Sequence, residues 1–83
     1  MKTMTFTTER LAEELVENVA LQLKGFISLD ERAANCNAWR TLFGEDFFRE
    51  ACDIAKRTKI LHADGTCTFF SVDDMKYVNR KLN

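Results

Sequence analysis

The chain has 83 residues, of which 46% are apolar and 30% charged, the balance of a globular protein rather than a disordered one. At this length it makes one domain, residues 1–83, and no apolar run approaches the roughly 18–20 residues that a bilayer crossing needs. The net charge of -1 argues against a general binder of polyanions.

The opening MKTMTFTTER has neither the apolar stretch nor the small-residue cleavage site of a secretory signal, so a cytoplasmic location is expected. Met4 and Phe6 alternate with Thr3 and Thr5, the pattern of a short edge strand or an N-terminal arm. The first helix is predicted over about residues 8–24. Leu11, Leu15, Val19 and Leu23 recur every four residues, and Ala12, Val16 and Ala20 widen the stripe. Thr7 or Thr8 caps its start, and Glu9 suits the positive end of its dipole. Gly25 fits a left-handed helix stop, with Phe26 beyond it.

Phe26-Ile27 is read as a minimal strand. Ser28-Leu29-Asp30-Glu31 is a capping box, and the second helix follows to about Phe43. Leu29, Ala33, Cys36 and Phe43 lie on one side of it, with Trp39 at the margin. Gly44 separates this helix from a third, over about residues 45–57, whose broad apolar face carries Phe47, Phe48, Ala51, Cys52, Ile54 and Ala55. That face is the expected centre of the core, and Phe47→Ala is expected to be among the costliest substitutions.

Residues 58–63 and 66–70 flank Asp64-Gly65, the strongest short hairpin signal. A two-residue loop would pair His62 with Cys67 and Ile60 with Phe69. Ile60, His62, Cys67 and Phe69 would then face inward, and Lys59, Leu61, Thr68 and Phe70 outward. Ser71-Val72-Asp73-Asp74 resembles another helix start, and Val72, Met75, Val78 and Leu82 would form the inner stripe of a last helix. The whole reads as a mostly helical α+β fold in winged-helix-like order: helix, short strand, helix, helix, β-hairpin, helix. The competing architecture is a helical bundle with an appended β-hairpin.

Chemistry is sparse. The three cysteines, Cys36, Cys52 and Cys67, have neither disulfide-framework nor zinc-type spacing, and all three glycines serve turns, leaving none for a phosphate-cradling loop. His62 is the only histidine, and with Cys67 it lacks the third orienting group and oxyanion site that nucleophilic catalysis requires. His62, Cys67 and Asp64 have no recognised metal spacing. Glu13 and Glu17 share one helix face instead of facing across a cleft. No enzyme activity, cofactor or metal is expected.

The charge is uneven: residues 1–31 carry a net -3, residues 32–55 a net -1 and residues 56–83 a net +3. Helix-dipole complement and solubility account for such a distribution; the two ends could also pair within the fold or head to tail between copies, and the functional alternative is a polar docking surface. The reading by subtraction is a small non-enzymatic interaction protein, an adaptor or inhibitor of a larger protein partner, with a size that suits phage or mobile-element origin. The expected contact surfaces are Glu13, Glu14, Glu17 and Leu21 on the first helix, then Tyr77, Arg80 and Lys81 near the chain end. Tyr and Arg are favoured because they are enriched among binding hot spots. The alternative is a winged-helix DNA-binding regulator, with Arg49, Lys56 and Arg57 on the third helix and Lys59 on the wing. Pairing of two copies through Leu61 and Phe70 is the homodimer alternative.

Overall fold

The computed structural model describes residues 6–82, and the strand or arm expected at Thr3–Phe6 falls mostly outside them. Three helices are followed by a three-stranded antiparallel meander, with α1 at Thr8–Leu23, α2 at Leu29–Phe43, α3 at Glu45–Ala55, β1 at Ile60–Leu61, β2 at Thr66–Ser71 and β3 at Lys76–Lys81. The α+β class stands. Two elements of the expected order do not: the chain between α1 and α2 forms turns instead of a strand, and the last helix is replaced by β3.

The helices begin and end where their caps dictate. The Thr7 side chain accepts from the Arg10 N–H at 3.1 Å. At the other end of α1 the Phe26 N–H donates to the Leu21 carbonyl at 2.8 Å and the Gly25 N–H to the Gln22 carbonyl at 3.1 Å, the bond pair of a Schellman stop. Ser28 and Glu31 bond reciprocally at 3.1 and 3.0 Å, completing the capping box of α2. Gly44 closes α2 and opens α3 at φ 92°, ψ 159°. Only glycine adopts that extended, positive-φ backbone freely, which is why two helices can follow each other here with one residue between them.

The core lies between α1 and α3. Leu11, Ala12, Leu15 and Val16 of α1 pack with Phe48, Ala51 and Ala55 of α3. Phe48 is 6% exposed while Phe47 is only partly buried, so Phe48 rather than Phe47 is the aromatic centre. Arg40 sits 5.0 Å above the Phe48 ring. Helix α2 has no fully buried residue. It meets the core through half-buried Cys36, Trp39 and Phe43, the last stacked between Phe6 and Phe47 at 4.9 and 5.1 Å. Leu29 and Ala33 are exposed, as is Leu23 at the end of the α1 stripe.

One polar residue is built into the α1–α2 contact. Asn18 is 3% exposed. Its Nδ2 donates to the Arg32 carbonyl at 3.1 Å and lies 3.7 Å from Cys36 Sγ, and its Oδ1 accepts from Asn35 Nδ2 at 2.9 Å. Asn18 thus joins α2 to α1 where apolar side chains are few.

The hairpin differs from expectation by one residue. Ile60 pairs with Thr68 and Leu61 with Cys67, and the His62 N–H donates to the Thr66 carbonyl at 2.8 Å. The loop is therefore the three residues Ala63, Asp64 and Gly65, with Gly65 left-handed at φ 83°. This is the three-residue connection in which a turn is followed by a left-handed residue and a bulge. A one-residue slip turns every side chain of the second strand to the opposite face. Thr68 and Phe70 consequently lie on the face with Tyr77 and Asn79, while Cys67, itself only 3% exposed, and Phe69 lie on the opposite face. The expected His62–Cys67 pair does not form, and Leu61 and Phe70, expected to share an outer face for pairing of two copies, fall on opposite faces.

The β2–β3 connection explains the misplaced helix. The Asp74 N–H donates to Ser71 Oγ at 3.3 Å, and Ser71 Oγ donates to Asp74 Oδ2 at 3.2 Å. These resemble the bonds of a helix cap, but Met75 takes φ 54° and the chain reverses. Lys76–Lys81 then pairs along β2, from Ser71↔Lys76 to Thr66↔Lys81. Val72 and Met75, expected on an inner stripe, are 74% and 70% exposed at the turn.

Candidate functional site

Two groups of side chains on the sheet could carry chemistry, one on each face. On the inner face His62 Nε2 lies 2.9 Å from Thr68 Oγ1, and His62 Nδ1 lies 3.8 Å from Glu17 Oε2 on α1. Thr68 Oγ1 in turn donates to Asn79 Oδ1 at 3.2 Å. Hydroxyl, imidazole and carboxylate in that order resemble a nucleophile with its base and orienting acid. Thr68, however, has no exposed surface, and a hydroxyl that no substrate can touch does not attack one. The arrangement joins the hairpin to α1 and satisfies the polar groups that the sheet buries.

The outer face is open. Cys67 and Phe69 from β2, Arg80 and Lys81 from β3, Lys59 ahead of β1 and Leu82 after β3 line a shallow cavity of about 310 Å³. Phe69 and Leu82 supply its accessible apolar part, with Cys67, only 3% exposed, beneath them. Lys59, Arg80 and Lys81 supply three cations, and the Arg80 guanidinium lies 5.9 Å from the Phe69 ring. Leu61 stands exposed opposite Cys67. Among the described residues, none of the three cations is in an ion pair with a carboxylate.

This cavity gathers residues that the sequence separates. Arg80 and Lys81 were expected on a helix and lie on an edge strand. Lys59, expected to touch nucleic acid, lies beside them. Tyr77 is placed differently: it is half-buried against the core, edge-on to Phe70 at 5.2 Å. Arg49 is exposed and paired with Glu45 at 3.5 Å, Lys56 sits 6.0 Å from the Phe70 ring, and Arg57 is exposed at the end of α3. Cys67, Phe69 and Leu82 were not expected in a site. Only the hairpin register distinguishes an inward from an outward Cys67, and the Ala-Asp-Gly stretch accommodates a two- or a three-residue loop.

The acidic face of α1 is less available than its charge suggests. Arg10 pairs with Glu13 at 3.1 Å and with Glu14 at 2.9 Å, Glu17 turns to His62, and Leu21 is half-buried. Between the first helix with its cap and residues 56–82, Lys24 pairs with Asp64 at 3.3 Å and Glu17 Oε2 lies 3.8 Å from His62 Nδ1. The Thr66 hydroxyl and N–H, both donating to Asp64, hold its carboxyl down at about 2, with Lys24 assisting.

Burial pushes the Tyr77 phenol up to about 12, and the nearby Cys52 and Cys36 act in the same direction. An acid whose folded pKa lies above its ordinary value of about 10 stabilises the fold fully below that value and loses the contribution as pH rises. Stability is therefore expected to fall between about pH 10 and pH 12, and Tyr77→Phe should flatten that decline. Urea midpoints measured across this range check it, and parallel decline of the two proteins would contradict it.

All three cysteines are free, and burial pushes the thiols of Cys36 and Cys52 up. Among the described residues no group of three His, Cys, Asp or Glu is placed to hold a metal ion, and no helix is long and apolar enough to cross a membrane. Comparison with protein-family models, curated proteins and solved structures returns no match for this chain.

Proposed function

We propose that the chain is a non-enzymatic protein-interaction module, an adaptor or inhibitor, that docks a larger partner through the outer face of its sheet. The observation that carries this reading is the cavity in which Lys59, Arg80 and Lys81 surround Cys67, Phe69 and Leu82. An apolar floor within a cationic rim matches a protein surface that presents apolar side chains among carboxylates. Apolar area supplies affinity there, while charge governs approach and selectivity. On α1, by contrast, Arg10 already satisfies Glu13 and Glu14.

A second reading, DNA binding in the manner of a winged helix, draws on the exposed Lys56 and Arg57 at the end of α3 and on Lys59 nearby. Glu45, Asp46, Glu50 and Asp53 on the same helix are exposed as well and would repel phosphate. Capture with the tagged protein, with and without nuclease, separates the two. A protein catch that resists nuclease is expected. A catch that disappears with nuclease, and whose affinity falls steeply with salt, would replace this reading with the nucleic-acid one.

A further inference from the structure

Strand β3 closes the sheet on one side, since the strand order is β1-β2-β3. The Leu82 N–H donates to the Gly65 carbonyl at 2.8 Å, which sets the alternation of the antiparallel ladder. Val78 and Arg80 therefore exchange backbone bonds with Phe69 and Cys67 of β2, their partners in register. The backbone N–H and C=O groups of Tyr77, Asn79 and Lys81 point the other way, to the free edge. Among the described residues no backbone hydrogen bond from outside the strands reaches these three residues. Six residues of strand are the ordinary length for pairing.

We propose that this edge takes up an extended acidic segment of another protein as a fourth strand. The inference rests on the protein-docking reading above and states its mode. Charge selects the occupant. Lys76, Arg80 and Lys81 lie on β3 itself, Lys59 lies across the cavity, and none is in an ion pair among the described residues. A second copy added edge to edge would set these cations beside one another, and like charges on neighbouring strands are destabilising. Basic side chains on an edge are a recognised guard against self-pairing. The same guard favours a strand bearing carboxylates. Carboxylates on successive residues of the added strand would reach Arg80 and, at the end of the cavity, Lys81, with an apolar residue beside Val78. A nucleic-acid backbone fits this edge less well: phosphates accept hydrogen bonds but do not donate them, so the carbonyls of Tyr77, Asn79 and Lys81 would stay unmet. Main-chain bonds would give the affinity and side chains the selectivity, as in other cases of strand addition.

The probe is a fluorescein-labelled peptide of about ten residues built of Glu-Glu-Val-Val repeats, which sets carboxylates on successive residues and is long enough to span a strand. Its controls are the Lys/Val counterpart and the acidic peptide N-methylated along one backbone edge, which removes donors without changing charge. Anisotropy should show the acidic peptide binding at least about ten-fold more tightly than either control, with a loss of similar size for R80E/K81E at unchanged circular dichroism. Amide exchange at Tyr77, Asn79 and Lys81 should slow on binding, while Val78 and Arg80, already bonded to β2, change little. If the N-methylated peptide binds equally well and R80E/K81E still abolishes binding, strand addition is overturned and docking on the basic face stands. If the acidic peptide does not bind, or slows exchange on α1 instead, the inference is overturned. Capture by R80E/K81E then decides the docking reading separately.

Discussion

Replacing Phe48 with alanine should destabilise the protein by about 3–5 kcal/mol, the usual range for removing a buried aromatic side chain. Phe48 is 6% exposed and sits among Leu11, Leu15, Val16, Ala51 and Ala55 in the one cluster that joins α1 to α3. Ala51 and Ala55 are too small to fill the space left behind, so the cavity term should approach its full value. Arg40 would also lose the ring it covers at 5.0 Å. Domains of this size are stable by only about 5–15 kcal/mol in total, so the variant should unfold at a much lower urea concentration or not fold at ambient temperature. Phe47→Ala is the comparison. Phe47 is only partly buried and stacks on Phe43 from the rim of the core, so its truncation should cost clearly less. Equal losses from the two substitutions would contradict the placement of the core.

Asn18→Ala is expected to cost about 1–3 kcal/mol, since a typical intramolecular hydrogen bond contributes about 0.5–1.5 kcal/mol and Asn18 makes its bonds from a buried position. Its bonds to three groups on α2 are lost: the Arg32 carbonyl, the exposed Asn35 amide and the partly buried Cys36 thiol. Since α2 has no fully buried side chain of its own, the loss should appear first as loosening of that helix. Amide exchange should speed up along Leu29–Phe43 more than along Glu45–Ala55. A uniform rise across all three helices would show that Asn18 supports the whole core instead of the α1–α2 contact.

The helices were legible in the sequence because each carries two independent signals, an apolar period near 3.6 and a cap. Thr7, the Ser28–Glu31 box and Gly44 stand where the pattern requires them. Asn18 was not legible: within an apolar stripe a single polar residue reads as an interruption, and only its partners on α2 explain it. Strand β3 was hidden by coincidence. Val72, Met75, Val78 and Leu82 have helical spacing, and Ser71 makes in a turn the bond it would make at a helix start. The left-handed backbone at Met75 separates the two outcomes, and methionine does not announce that conformation.

The candidate site was half legible. Arg80 and Lys81 stood out because a terminal segment with net positive charge suggests a contact surface, although that surface is a strand edge. Lys59 stood out for a different partner. Their convergence on one cavity depends on the hairpin register, which turns Cys67 and Phe69 outward, and a three-residue loop differs from a two-residue loop only by where one backbone turns left-handed.

The most direct measurement of the docking claim compares two charge reversals in the same capture experiment, each checked for an unchanged circular dichroism spectrum. R80E/K81E inverts the rim of the outer sheet face, and E13K/E14K inverts the outer face of α1. The sheet account predicts that the first variant loses its nuclease-resistant protein partner and that the second keeps it. Retention by R80E/K81E with loss by E13K/E14K would move the docking surface to α1.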